Sequence, residues 1–68
     1  MPGKITPPPG LKWVKGPMCQ WDTCFELTSD GDTVYIRNNT NPDVVISGTR
    51  AELAAFLGGA KTDAFDGI

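Results

Sequence analysis

Few residues in this sequence could carry out chemistry, and they do not form a catalytic set. The chain has no histidine, the side chain that most often acts as a base near neutral pH. Cys24 has no recognisable partner that would activate its thiolate. Asp30 and Asp32 flank Gly31, a pattern that turn formation explains better than cation binding. We therefore predict a protein that is not an enzyme and that holds neither a metal nor a cofactor.

The two cysteines, Cys19 and Cys24, leave two alternatives open. They have four residues between them, so a disulfide is feasible in an oxidising compartment. In a reducing compartment they would act as small buried hydrophobic residues. The first ten residues lack the apolar stretch of a secretory signal, and no apolar run approaches the ~18 residues of a membrane span. We predict a cytoplasmic protein, and whether Cys19 and Cys24 ever pair stays open.

The best candidates for a functional surface are residue types that bind other proteins. Tyrosine and arginine are enriched at the energetically important centres of interfaces, and Tyr35 and Arg37 lie close together in the sequence. Asn38 and Asn39 follow them directly, and Glu26 comes from the preceding apolar segment. These five residues form the predicted protein-binding site. The alternative is a solvated sheet face on which a Glu26–Arg37 ion pair contributes little.

A β-hairpin is the element expected to position this site. The segments CFELT and TVYIR flank SDGD, and Asp30-Gly31 is typical of a two-residue type I′ turn. That turn would pair Ser29 with Asp32 and Glu26 with Tyr35. Because side chains alternate along a strand, the hairpin would have one apolar face and one mostly polar face. The apolar face holds Phe25, Leu27, Val34 and Ile36, and the polar face holds Cys24, Glu26, Thr28, Thr33, Tyr35 and Arg37.

A third strand and one helix complete the predicted fold. Residues 38–43 are rich in Asn and contain Pro42, which favours a turn before a third strand over residues 44–47. Thr49 and Glu52 fit a capping box that begins a helix. Gly58-Gly59 should weaken or end that helix. Its predicted apolar stripe consists of Leu53, Phe56, Leu57 and Ala60.

The expected architecture is a small α+β fold, an antiparallel three- to four-stranded sheet with one C-terminal helix packed on its apolar face. Residues 1–10 form a flexible Pro/Gly-rich tail, and residues 11–68 form a single small domain. Residues 11–15 are the candidate fourth strand. We expect Trp21 to cover the core from a loop and Phe65 to dock back onto the domain.

The charge distribution disfavours nucleic acid as a ligand. The net charge is −2, but residues 1–21 carry +3 and residues 22–68 carry −5. An acidic domain repels a phosphate backbone. We therefore predict no direct binding to nucleic acid and no association with a membrane.

The segment from Trp13 to Asp66, about four-fifths of the chain, contains an ordered series of motifs: an early tryptophan, the strands CFEL and VYIR, an Asn-Pro turn, the helix TRAELAAFLGGAK and a closing DAFD. In this order the motifs resemble the actinobacterial family called domain of unknown function 397. Leu53 stands where the family usually has tryptophan, and Asn38-Asn39-Thr40 stands where it usually has Asp-Ser-Lys.

The resemblance implies a protein-binding role and no enzymatic activity. Members of that family are small accessory proteins linked to Xre-type helix-turn-helix regulators, so a divergent member is expected to bind such a regulator in an antitoxin-like or partner role. Two alternatives remain open: a self-associating structural protein that forms a homodimer, and a phage- or mobile-element-encoded inhibitor of a host protein.

Overall fold

The computed structural model describes residues 5–19 and 23–68 of the chain. Its elements, in chain order, are β1 (Phe25–Asp30), β2 (Thr33–Asn38), β3 (Val45–Thr49) and α1 (Arg50–Lys61). The strands form one antiparallel sheet in the order β1-β2-β3, and α1 contacts β2 and β3. The predicted α+β architecture, an antiparallel meander followed by one C-terminal helix, is confirmed.

The hairpin forms as predicted, but its register differs by two residues. Asp30 pairs with Thr33, so Gly31 and Asp32 are the central turn residues rather than Asp30 and Gly31. Gly31 has a φ of 61°, whereas Asp63 is the one non-glycine residue with positive φ in the described parts of the chain. The observed turn therefore places its positive φ on glycine, where it costs least. The predicted type I′ turn would have required positive φ at Asp30 as well.

A shift of two residues leaves the two faces of the hairpin unchanged. Leu27 now lies opposite Ile36, and Glu26 lies opposite Arg37 instead of Tyr35. Because the side-chain period of a strand is two, every predicted face assignment survives the shift. Tyr35 lies opposite Thr28. The correction thus concerns which residues are neighbours, not which face they occupy.

The described part of the N-terminal segment joins the sheet through one isolated backbone bridge. Val14 and Leu27 exchange two backbone hydrogen bonds of 2.8 and 2.9 Å, which form an isolated antiparallel bridge rather than the predicted strand over residues 11–15. The Thr28 hydroxyl donates to the Lys12 carbonyl at 2.8 Å and holds the same segment. Trp21, predicted to cover the core, lies outside the described residues.

Strand β3 begins one residue later than predicted and runs directly into the helix. Thr49 ends β3 and is also the N-cap of α1, because its extended backbone (φ −91°, ψ 164°) suits both roles. The capping box is confirmed: the Thr49 hydroxyl accepts from the Glu52 N–H at 3.0 Å, and the Glu52 carboxylate accepts from the Thr49 N–H at 2.9 Å.

The sequence predicts that Gly58-Gly59 either weakens or ends the helix, and in the structure these glycines do not end it. The helix continues through Gly58 and Gly59 to Lys61. A β-carbon at position 59 would lie 3.2 Å from the ring of Phe65, so glycine makes room for that ring. Phe65 stacks on Phe56 with ring centroids 5.2 Å apart, which confirms that it docks back onto the domain.

The hydrophobic core of the described residues is small. Val34 and Val45 are buried, and they project from opposite faces of the sheet. The predicted stripe of the helix is not buried: Leu53 is half-buried, whereas Phe56, Leu57 and Ala60 are exposed. The helix therefore contacts the apolar face of the sheet without covering it.

Candidate functional site

The centre of the polar face is an ordered arrangement of three side chains. The Nε of Arg37 donates to a Glu26 carboxylate oxygen at 2.9 Å. The guanidinium carbon of Arg37 lies 3.9 Å from the centroid of the Trp13 ring, within cation–π range. The side chains of Arg37 and Glu26 are 24% and 14% exposed. The pair is thus partly shielded from water and fixed in direction.

Strand register brings these residues together. Glu26 and Arg37 face each other across β1 and β2, so their side chains leave the sheet side by side. Trp13 precedes Val14, whose bridge to Leu27 lies on the apolar side of the sheet. Alternation then directs Trp13 to the polar face. Sequence reasoning missed this role of Trp13, although the same alternation, applied to residues 11–15, could have indicated it.

Tyr35 lies on the same face but in different surroundings. It is half-buried and stands opposite Thr28 on β1 and Ser47 on β3. Tyr35 is two residues from Arg37 along β2, so both side chains project from one surface. The structure therefore brings together three of the predicted binding residues, namely Glu26, Tyr35 and Arg37.

The two asparagines have structural partners within the chain. The Asn38 side-chain oxygen accepts from the Thr40 N–H at 3.0 Å and from the Thr40 hydroxyl at 2.7 Å. The Asn39 side-chain oxygen accepts from the Cys24 N–H at 3.1 Å, and the Asn39 N–H donates to the Cys24 carbonyl at 3.0 Å. Asn38 shapes the turn, and Asn39 extends the pairing of β1 and β2 by one step.

Cys19 and Cys24 form a disulfide, which decides between the two alternatives that the sequence left open. Their α-carbons are 6.2 Å apart, within the usual span of a disulfide. The cross-link ties the end of the N-terminal segment to the start of β1, next to the Trp13–Arg37–Glu26 arrangement. The cytoplasmic location stays a prediction.

The opposite side of the sheet carries a feature that sequence reasoning did not foresee. A groove of about 440 Å³ opens between the sheet and α1. Seven apolar side chains line it, and we call it the apolar groove; they are Phe25, Leu27, Val34, Ile36, Ile46, Leu53 and Phe56. The periodicities of strand and helix correctly placed six of these residues on facing apolar surfaces. They could not show that the surfaces would fail to close.

The described part of the chain contains neither a metal-binding cluster nor a membrane-spanning helix. Residues 5–19 and 23–68 contain no cluster of three or more Cys, Asp or Glu side chains that could hold a metal ion. The single helix of this region is too short and too polar to cross a membrane.

Comparison with known proteins gives no relative. No family model, curated protein or solved structure matches the chain. The resemblance to domain of unknown function 397 therefore stays a prediction that rests on its ordered motifs.

Proposed function

We propose that this chain is a small non-enzymatic protein-binding module that modulates a helix-turn-helix transcription regulator, in an antitoxin-like or partner role. The observation that carries the proposal is the Trp13–Arg37–Glu26 arrangement on the polar face, with Tyr35 beside it. The kind of partner is inferred from the family resemblance.

The arrangement suits binding because its side chains are ordered before a partner arrives. A free arginine loses rotamer entropy when an interface immobilises it, and this loss weakens binding. Contacts with Trp13 and Glu26 already restrict Arg37 in the isolated chain. The guanidinium has five N–H donors, and the Nε donor is the one used by Glu26. A partner carbonyl or carboxylate could accept from the others.

Charge also favours a DNA-binding protein over DNA itself as the partner. Residues 22–68 carry a net charge of −5. A surface that binds DNA is basic, so an acidic module is steered towards it and away from phosphate. An accessory protein of this kind would compete with DNA for its regulator.

The test is affinity for the helix-turn-helix regulator that comes with the tagged chain from an extract of its native host. We expect Arg37→Ala and Tyr35→Ala each to weaken binding about tenfold or more, as loss of an interface hot spot does. Lys61→Ala is the matched control, because it also removes one positive charge but lies at the end of the helix. Its affinity should stay unchanged.

Two results would count against the proposal. If Arg37→Ala bound the regulator as tightly as the unaltered chain, the polar face would not be the site. If the extract gave no regulator and the tagged chain recovered its own copies alone, the regulator role would be replaced by self-association. Circular dichroism of each variant ensures that lost binding does not reflect lost structure.

A further inference from the structure

We propose that two copies of this chain associate through the apolar groove, each copy closing the groove of the other. This inference is independent of the proposed function, because the groove and the polar face lie on opposite sides of the sheet. A dimer of this kind leaves Arg37 accessible on both copies.

The groove is open because α1 is fixed to only one end of the sheet. Arg50, the first helical residue, donates from Nε to the Gly31 carbonyl at 2.7 Å and from Nη2 to the Ser29 hydroxyl at 3.0 Å. These bonds hold the start of α1 at the hairpin turn. At the far end, Phe25 is 70% exposed and Ile46 is 59% exposed. Side chains that normally form a core are therefore left in water.

The lining of the groove resembles half of a hydrophobic core. Among the described residues that line it, seven apolar side chains are accompanied by no lysine or arginine, and Glu52 is the one acidic residue. The Glu52 carboxylate already accepts from the Thr49 N–H in the capping box. Obligate homodimer interfaces have this character, whereas transient interfaces are as polar as the general surface.

The chain exposes more surface than a compact monomer of its mass, and the excess is larger than the area that one partner buries in a standard dimer. The chain exposes 5445 Å². A compact monomer of 7.3 kDa is expected to expose about 4,200 Å², roughly 1,200 Å² less. The large apolar side chains that contribute exposed surface include Phe25, Ile46 and Phe56, which are 70%, 59% and 51% exposed. A standard interface buries about 800 Å² on each partner.

A second copy is the occupant that best fits a core this incomplete. Two hydrophobic residues are buried among the described residues, and a chain of this length is marginal as a monomer. The groove is exposed whenever the chain is folded, so the partner that covers it should always be present with the chain. A second copy of the chain meets that condition. A twofold axis lets Phe25 and Ile46 of each copy enter the groove of the other.

The test is the molar mass of the full chain in solution, measured by light scattering and sedimentation from micromolar to near-millimolar concentration. We expect twice the mass of one chain. Ile46→Lys should raise the dissociation constant of the dimer about 100-fold or more, because it places an unpaired charge in the apolar contact. Met18→Lys is the matched control: Met18 is 86% exposed and outside the groove, so the constant should stay within about twofold.

A second measurement needs no variant and serves if Ile46→Lys fails to fold. In a mixture of isotope-labelled and unlabelled chains, isotope-filtered nuclear Overhauser effects report contacts between copies. We expect such contacts at Phe25, Ile46 and Phe56. A monomer at all concentrations would overturn the proposal, as would a dimer whose contacts between copies lie at Tyr35 and Arg37.

Discussion

At the scale of single residues, Arg37 is fixed by two contacts with different physical origins. Its hydrogen-bonded ion pair with Glu26 depends on charge and direction, whereas its contact with the Trp13 ring depends on the flat face of the guanidinium. Lysine could replace the charge but not the planar stacking. The polar face therefore needs arginine at this position for its own order, apart from any partner.

The energetic coupling between Arg37 and Glu26 can be measured directly. We expect Arg37→Ala to lower the free energy of unfolding by about 1–2 kcal/mol, because it removes a charge-assisted hydrogen bond and a cation–π contact. In a double-mutant cycle with Glu26→Gln, the effects of the two changes should be non-additive by about 0.5 kcal/mol or more. Chemical denaturation of the four proteins gives this value. Strict additivity would show that the ion pair is energetically silent, as many exposed pairs are.

At the scale of elements, hydrogen bonds fix the start of α1, and two glycines lie near its end. The Thr49–Glu52 capping box and the Arg50 bonds to the hairpin turn fix where α1 begins. Near the end, Thr62 caps the helix, and its hydroxyl donates to the Gly58 and Gly59 carbonyls at 3.1 Å. The glycines lie inside the helix, and they differ in what surrounds them.

The two glycines provide a matched pair of substitutions. A β-carbon at position 58 would meet nothing within 4 Å, so Gly58→Ala should raise the free energy of unfolding by about 0.5–1 kcal/mol through helix propensity. Gly59→Ala should gain less or lose stability, because the new methyl group would press on Phe65. Thermal denaturation of both variants tests this order. Equal stabilisation would mean that the Phe65 ring moves aside freely.

At the scale of the whole molecule, the described residues are held together by cross-links and bridges rather than by a large core. The Cys19–Cys24 disulfide and the Val14–Leu27 bridge attach the N-terminal segment to β1. Val34 and Val45 are buried on opposite sides of the sheet, so the described residues build no extensive dry interior on either side. Small domains commonly depend on such cross-links or on association.

Reduction of the disulfide should therefore have a measurable effect. A loop of this length is expected to contribute about 2 kcal/mol by restricting the unfolded chain. We expect a reducing agent to lower the midpoint of urea denaturation accordingly, at constant protein concentration. A Cys19→Ser/Cys24→Ser variant is the control, since it should show the lower midpoint with or without the reducing agent. An unchanged midpoint of the unaltered chain after complete reduction would contradict the expectation.

Local features of the fold followed from the sequence because short-range geometry decides them. The alternation of Phe25 and Leu27 with polar neighbours set the faces of β1, and the three-residue spacing of Thr49 and Glu52 set the start of the helix. Three candidate residues, Glu26, Tyr35 and Arg37, fell on one face for the same reason. Alternation could not give the register, because a shift of two residues preserves every face.

The contacts that only the tertiary structure decided join segments far apart in the chain. Trp13 meets Arg37 across β1, although no local period in the sequence marks this contact. The position of the helix depends on the hydrogen bond from the Arg50 side chain to the Gly31 carbonyl. Sequence periodicity determined that the sheet and the helix would each have an apolar face. The first residue of α1 is bound at the hairpin turn, and the direction of the helix from that point leaves an open groove between these faces instead of a closed core.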